Sequence, residues 1–180
     1  MRILSRELSA HIGEQVTVRG WLHKKRLLGG LTFIVVRDRS GLTQALVKEK
    51  AEVEKLREHQ LGTVLTLNGT VVEDQRAPGG AEIHDVTLTV EVPVMDQSPI
   101  EIDKPLEHKP ENLDTLFDYR VVGLRNLREQ AIFKVQAEVK EATRQFLRSQ
   151  EFTEFNSPKL LPGATEGGAE VFKLDYFGQE

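Results

Sequence analysis

Several absences limit what this chain can be. The 180 residues include no cysteine, which excludes disulfides and thiolate metal sites and favours a reducing, cytoplasmic location. No apolar run is long enough to cross a bilayer, and residues 1–7 lack the apolar stretch of a secretory signal. Glycine and proline are not in excess, and 39% of the residues are hydrophobic. The sequence therefore predicts a globular chain of one or two domains with no membrane partner.

Positive charge is scarce overall but locally concentrated. The net charge of −4 argues against a protein that coats nucleic acid through bulk electrostatics. Residues 19–44 nevertheless contain six lysines and arginines against one acid, whereas residues 91–118 contain eight acids and two lysines. A basic element near the amino end is therefore a candidate binding surface.

Residues 15–94 contain short strand patterns separated by turn residues. Alternating or apolar runs at 16–22, 31–38 and 42–47 predict three strands, and two more follow at 64–72 and 82–90. Residues 51–59 predict a helix between the third and fourth strands. This order matches the OB-fold, a five-stranded barrel that often holds single-stranded nucleic acid, although short strands alone also suit an SH3-like barrel.

The rest of the chain is predicted to be a linker and the start of a second domain. Prolines recur at 93, 99, 105 and 110, which favours an irregular linker over residues 95–128. Asn126 and Glu129 have the spacing of a capping box at a helix start. The apolar residues that follow at steps of three and four share one helix face: Ile132, Val135, Val139, Ala142 and Phe146.

Two interpretations of that helix face stay open. It packs on the core of its own domain, or it also contacts a partner subunit. Residues 152–155 then predict a strand that ends before Pro158.

The basic element offers candidate binding residues. Phe33 alternates with Leu31 and Val35, so it is either part of the barrel core or a stacking platform for an unpaired base. The run His23-Lys24-Lys25-Arg26, predicted to form a loop, supplies charge for phosphates. The amide of Gln44 can donate and accept at a base edge, although a single glutamine is usually surface filler.

Several separated blocks resemble one enzyme family. They are Gly20-Trp21-Leu22-His23-Lys24-Lys25-Arg26, Gly29-Gly30-Leu31-Thr32-Phe33, Arg37-Asp38-Arg39-Ser40-Gly41, Leu113-Asp114-Thr115-Leu116-Phe117-Asp118-Tyr119-Arg120, Arg125-Asn126-Leu127-Arg128 and Ala164-Thr165-Glu166-Gly167-Gly168-Ala169-Glu170. Together they resemble class IIb aminoacyl-tRNA synthetases, and most of all the aspartyl-tRNA synthetases of archaeal type. The resemblance implies an α+β chain: an OB-fold anticodon-binding domain at 1–94, a linker at 95–128, and at 129–180 the start of a catalytic domain built on an antiparallel sheet.

The resemblance also implies roles for barrel residues. Phe33 would stack on the middle anticodon base, while Arg26, Gln44 and Glu82 would contact the anticodon loop and its first two bases. His23 and Pro78 replace a tryptophan and a lysine typical of enzymes that charge only tRNA(Asp), so this chain would also accept tRNA(Asn). The plainer alternative is that His23 is a polar loop residue and Pro78 shapes a turn.

Further expectations concern the second domain. Glu166, with Gly167 and Gly168, would face the ammonium group of aspartate, and Pro158 would lie at a homodimer interface. ATP and Mg²⁺ would be cofactors of the whole enzyme, but no catalytic residue or metal ligand can be named here. The chain alone is expected to bind tRNA at most and to form no aminoacyl-adenylate. Two alternatives remain: an asparaginyl-tRNA synthetase, and a stand-alone OB-fold protein that binds single-stranded nucleic acid.

Overall fold

A closed five-stranded barrel dominates the computed structural model, which describes residues 1–28 and 31–158. Neighbouring strands run in the order β1-β2-β3-β5-β4. All pairs are antiparallel except β3 with β5. The strands are β1 (Gln15–Leu28), β2 (Leu31–Arg37), β3 (Leu42–Val47), β4 (Val64–Glu73) and β5 (Ala81–Val92). The OB-fold prediction is confirmed, because helix α1 (Lys50–Glu58) lies between β3 and β4.

The barrel core follows from strand alternation. Successive side chains of a strand point to opposite faces. Ile34, Ala45 and Ile83 are fully buried, so the residues on either side of each point away from the core. Helix α1 adds Leu56 to the same cluster, and the 3-10 helix Ser5–His11 adds Leu8. These inward side chains make one continuous apolar core that holds the outer surfaces of β2, β3 and β5 in fixed register.

Strand β1 is longer than the sequence pattern indicates. It pairs with β4 from Gln15 to Trp21 and with β2 from Trp21 to Leu28, and its register shifts between Leu22 and Lys24. His23 occupies this bulge. The prediction that residues 23–26 form a loop is therefore wrong: the bulge breaks the alternation, which hides the continuing strand from a pattern reading.

The segment from 95 to 126 contains two short helices, α2 (Pro110–Asp118) and α3 (Arg120–Gly123). Its last residues are tied to the barrel, because the Arg37 guanidinium donates a hydrogen bond to the Arg125 carbonyl. The Asn126 amide donates to the carbonyls of Ile102 and Lys104. These bonds anchor backbone that the proline pattern alone would leave irregular.

Helix α4 (Leu127–Ser149) begins at the predicted cap. The Asn126 side-chain oxygen accepts a 2.9 Å hydrogen bond from the Arg128 amide, which confirms the N-cap. Glu129 does not complete a capping box: its carboxylate lies 2.9 Å from His108 Nε2 instead. None of the helices among the described residues has the length and apolar character needed to cross a membrane.

The chain divides into two compact units, Met1–Ile132 and Phe133–Glu180. In the second unit, described to residue 158, the segment after α4 is held to the helix by Arg144, which bonds Glu154 at 2.9 Å. The strand predicted at 152–155 is wrong, since no strand forms there. A strand requires a hydrogen-bonded neighbour, and the described part of this unit supplies none.

Within residues 133–158, the described part of the second unit, nothing covers the apolar face of α4. The stripe residues Ile132, Val135, Val139, Ala142 and Phe146 are all exposed, with Val139 at 59%. Packing on the core of its own domain is therefore not observed among residues 133–158, and contact with a partner subunit stays a prediction.

Candidate nucleic-acid interface

Two rows of side chains cross the outer surface of the barrel. In one row, Arg26 of β1 pairs with Phe33 of β2, which pairs with Leu46 of β3. In the other, Lys24 pairs with Val35, Val35 with Gln44, and Gln44 with Glu82 of β5. The rows lie two residues apart along each strand, or about 7 Å. Register thus brings Arg26, Phe33, Gln44 and Glu82 onto one surface spanning four strands.

Phe33 is not part of the barrel core. Its neighbours Thr32 and Ile34 are buried, whereas Phe33 is partly exposed on the outer face. Lys24 and Arg26 flank it on β1, and neither forms a salt bridge among residues 1–28 and 31–158. A partly exposed ring beside two cations can stack on a base while the cations neutralise the phosphates of the strand.

Only part of the basic run faces this surface. Lys25 Nζ donates to the carbonyls of Leu56 at 3.0 Å and His59 at 2.7 Å, so it caps the carboxyl end of α1. Burial lowers the pKa of Lys25. His23 is also turned inward, at 8% exposure. The sequence therefore overstates the positive charge available to phosphates: two of these four side chains serve the fold.

Gln44 and Glu82 form a polar pair on the β3–β5 side of the surface. Gln44 Nε2 donates to Glu82 Oε2 at 2.8 Å, and His84 Nε2 lies 2.7 Å from Glu82 Oε1. Glu82 is only 5% exposed, while Gln44 and His84 are partly exposed. The sequence reading did not single out His84, although strand alternation places it on the same face as Glu82, two residues away.

His23 lies between the barrel and the segment after it. Burial lowers the pKa of its imidazole, the nearby Arg37 lowers it further, and Asp103 opposes the shift. Its Nδ1 atom is buried without a hydrogen-bond partner in the described structure. A neutral, enclosed imidazole is suited to shaping the β1 bulge rather than to touching a ligand directly.

Pro78 occupies a turn at the edge of the surface. The turn joins β4 to β5 through the 3-10 helix Pro78–Gly80, whose Gly79 has a positive φ of 75°. Arg76 in this turn bonds Asp74, which raises the pKa of Arg76, and the charge of Glu82 contributes to that rise. Pro78 and His23 therefore lie on separate elements, the β4–β5 turn and the bulge of β1.

The remaining predicted site residues fall elsewhere. Pro158 is exposed and outside any regular element, and Glu166, Gly167 and Gly168 lie outside the described residues. Among the residues that are described, no three His, Asp or Glu side chains come together to hold a metal ion.

The barrel and its outward row of cationic, aromatic and amide groups define an OB-fold nucleic-acid-binding domain joined to a further unit. Residues 16–93 match the family described as OB-fold nucleic acid binding domain, and residues 112–178 match tRNA synthetases class II (D, K and N). The chain belongs to the class II tRNA synthetases.

Within this family, the chain is similar to ligases that attach aspartate. The chain is 39% identical over 177 residues to the aspartate–tRNA(Asp/Asn) ligase of Thermus thermophilus, covering 98% of this chain and 40% of that protein. It is 37% identical to the ligase of the same name from Archaeoglobus fulgidus, covering all of this chain and 42% of that protein. The chain thus spans about two fifths of these relatives.

A solved structure supports the fold of the chain. Asparaginyl-tRNA synthetase from Pyrococcus horikoshii, complexed with asparaginyl-adenylate, superposes with a TM-score of 0.82 and 32% identity, over 99% of this chain and 41% of that one.

Proposed function

We propose that this chain is the anticodon-reading part, and the beginning of the catalytic domain, of an ATP- and Mg²⁺-dependent aspartate–tRNA ligase of the cytoplasm. The observation that carries the proposal is the alignment of Arg26, Phe33, Gln44 and Glu82 across four neighbouring strands of one outer surface. The aspartate assignment is preferred to an asparaginyl-tRNA synthetase because the curated relatives, 37–39% identical over nearly the whole chain, are named aspartate–tRNA(Asp/Asn) ligases. A stand-alone OB-fold protein would not be expected to carry residues 112–178, which match the class II tRNA synthetases.

Different residues of this surface bind the bases and the phosphates of a single-stranded anticodon. The ring of Phe33 stacks on the middle base, and Arg26 and Lys24 neutralise phosphates of the loop. Gln44 and Glu82 supply acceptors and donors for base edges. A loop whose bases are unstacked presents the edges that this arrangement needs.

The enzyme acts on tRNA(Asp) and also on tRNA(Asn). Their anticodons, GUC and GUU, differ only at the third base, so relaxed contact at that base suffices. His23 and Pro78 are the residues proposed to relax it: His23 through the bulge that it fills, and Pro78 through a turn that offers no backbone N–H. The names of the two curated relatives support this dual specificity.

Other proposed roles belong to the second domain and its partners. Glu166, Gly167 and Gly168 bind the aspartate substrate, and Pro158 lies at the interface of a homodimer. The proposed division is an anticodon domain at 1–94, a linker at 95–128 and the catalytic start at 129–180. Sedimentation of the full-length protein at the mass of a monomer would contradict the dimer.

One binding experiment tests the anticodon assignment. The 180-residue chain is titrated with RNA hairpins that carry GUC or GUU in the loop. We expect comparable affinity for both, and Phe33→Ala should weaken both by about 5- to 150-fold, because stacking is worth about 1–3 kcal/mol per base. Phe117→Ala is the matched control, since Phe117 is an exposed aromatic in α2.

Two results contradict the proposal. Binding that Phe33→Ala leaves unchanged removes the stacking role. Binding of GUC that greatly exceeds binding of GUU removes the dual specificity while leaving the anticodon surface in place.

A further inference from the structure

The carboxylate of Glu82 is held from two sides. Gln44 Nε2 donates to one oxygen at 2.8 Å, and His84 Nε2 contacts the other at 2.7 Å. An ionised carboxylate can only accept, so the His84 tautomer with a proton on Nε2 is the one that satisfies this contact. Because Glu82 is 5% exposed, water has little access to replace either partner. Its orientation therefore depends on both neighbours.

A β-bulge in β5 positions His84 beside Glu82. Asn68 pairs with Thr87 and Thr70 with His84, so two residues of β5 lie opposite the single residue Gly69. That arrangement is a β-bulge, and Asp85 within it has a positive φ of 49°. A Cβ atom on Gly69 would lie 2.3 Å from the His84 carbonyl oxygen. A side chain at residue 69 would thus displace the strand that carries His84.

The bond to Glu82 restricts how the Gln44 amide can present itself. A free amide can turn over and exchange its donor and acceptor ends. Turning it here would place Gln44 Oε1 against a carboxylate oxygen, with two acceptors facing and no proton between them. The amide is therefore fixed, with one N–H committed to Glu82 and with Oε1 and the second N–H free to meet a base.

Fixed orientation matters because bases fall into two classes at their Watson–Crick edges. Guanine and uracil present a carbonyl oxygen followed by an imino N–H. Adenine and cytosine present an amino N–H followed by a ring nitrogen that accepts. An amide that can turn serves both classes, whereas an amide that cannot turn serves only one.

We propose that His84 is a positioning residue of this surface: by holding Glu82, it locks the Gln44 amide in one orientation, so that the site accepts the keto bases guanine and uracil and rejects adenine and cytosine. The inference rests on the proposed function, which places the G and U of the anticodon at Gln44 and Glu82. It adds a residue that touches no RNA but determines which base class is admitted.

Discrimination between U and C tests whether His84 fixes the orientation of the Gln44 amide. The 180-residue chain is titrated with hairpins that carry U or C at the middle anticodon position. The measured quantity is the dissociation constant for the C hairpin divided by that for the U hairpin, called the U/C ratio below. We expect His84→Ala to lower this ratio about tenfold, which corresponds to the loss of one good hydrogen bond to a charged group. His84→Gln should restore the ratio, because its amide nitrogen can donate to Glu82. His11→Ala is the control, since His11 forms a 2.9 Å contact with Glu14 in another part of the chain.

A second measurement needs no RNA. In the nuclear magnetic resonance spectrum of the free chain, the Gln44 side-chain N–H that donates to Glu82 should exchange with water more slowly than the second, uncommitted N–H. His84→Ala should speed the exchange of the N–H that is bonded to Glu82, and His84→Gln should not. Comparison with the spectrum of the unsubstituted chain also shows whether each variant is folded.

The outcomes separate the two proposals. If Phe33→Ala weakens binding but His84→Ala changes neither the U/C ratio nor the exchange of the Gln44 amide, the positioning role is overturned and the anticodon surface stands. If Phe33→Ala has no effect, the proposed function fails, and an unchanged Gln44 amide in His84→Ala then rejects the lock as well. A changed ratio that His84→Gln does not restore also overturns the inference, because the donor is then not what matters.

Discussion

At the scale of single residues, Gly20 is the described glycine at which an added Cβ would approach backbone most closely. A Cβ atom there would lie 2.2 Å from the Arg37 carbonyl oxygen, in the place where β1 changes partners from β4 to β2. We expect Gly20→Ala to lower the free energy of unfolding by at least about 1–3 kcal/mol, because backbone on both strands must separate to admit the methyl group. Urea denaturation measures the change.

The control for this prediction is Gly41→Ala. A Cβ at Gly41 would meet Ser5 Cβ at 3.7 Å, which is ordinary van der Waals contact. Its effect should stay below about 1 kcal/mol in either direction. Equal losses in the two variants would show that close approach at Gly20 is not the constraint.

Sequence alone could predict some of the site residues and not others. The alternation around Phe33 distinguishes the two faces of β2, but it does not show which face points into the barrel. The structure shows this, because Ile34 and Val36 are buried. Gln44 and Glu82 are 38 residues apart, and their contact depends on the parallel pairing of β3 with β5. His84 could not be assigned a role before that pairing was known.

At the scale of elements, one carboxylate joins the 3-10 helix Ser5–His11 to the barrel. Asp38 accepts hydrogen bonds from the Ser5 amide at 2.7 Å and from the Ser40 amide and hydroxyl, each at 2.7 Å. Burial alone would raise the pKa of Asp38, but these hydrogen bonds outweigh it and hold the pKa below its ordinary value. The charged form is therefore the one that the fold stabilises.

This carboxylate predicts a dependence of stability on pH. Since the folded pKa lies below the unfolded value of about 3.9, Asp38 contributes fully above that pH and its contribution is lost as the pH falls through the folded pKa. Asp38→Asn should cost about 1–3 kcal/mol at pH 7, and the gap from the unsubstituted chain should narrow below about pH 4. Urea denaturation at pH 7 and pH 3 tests this.

Asp114→Asn is the control for Asp38→Asn. Asp114 is exposed in α2, so its substitution should change stability little at either pH. A gap between Asp38→Asn and the unsubstituted chain that is the same at pH 7 and pH 3 would show that loss of the charge is not the cause.

Element boundaries show where sequence patterns succeed and fail. Strand β3 and helix α1 lie within one residue of their predicted positions, because each has one period and clear turn residues at its ends. Strand β1 extends six residues past its predicted end because the bulge at His23 interrupts the alternation. The strand predicted at 152–155 fails for a different reason: its apolar residues suit a sheet, but the neighbour that would make the sheet is not among the described residues.

At the scale of the whole molecule, the two units differ in how they bury apolar surface. The core cluster of the first unit runs from Ile3 to Leu88 and includes residues from all five strands. In the described part of the second unit, Val135, Val139, Phe146, Phe152 and Phe155 are exposed. The first unit has the core that independent folding requires, whereas residues 133–158 of the second unit leave the apolar face of α4 uncovered among themselves.

This difference predicts that residues 1–132 fold alone. Trp21, the single tryptophan, lies in β1 and contacts Arg37, so its fluorescence reports on the barrel. We expect the 1–132 fragment and the 180-residue chain to unfold at the same urea concentration, because the buried core and the Arg37–Arg125 bond lie entirely within the fragment. Phe33→Ala should weaken the binding of the hairpins to the fragment as it does in the longer chain. A markedly lower midpoint for the fragment would show that the barrel depends on residues beyond 132, and the proposed separation of anticodon binding from the rest of the enzyme would then fail.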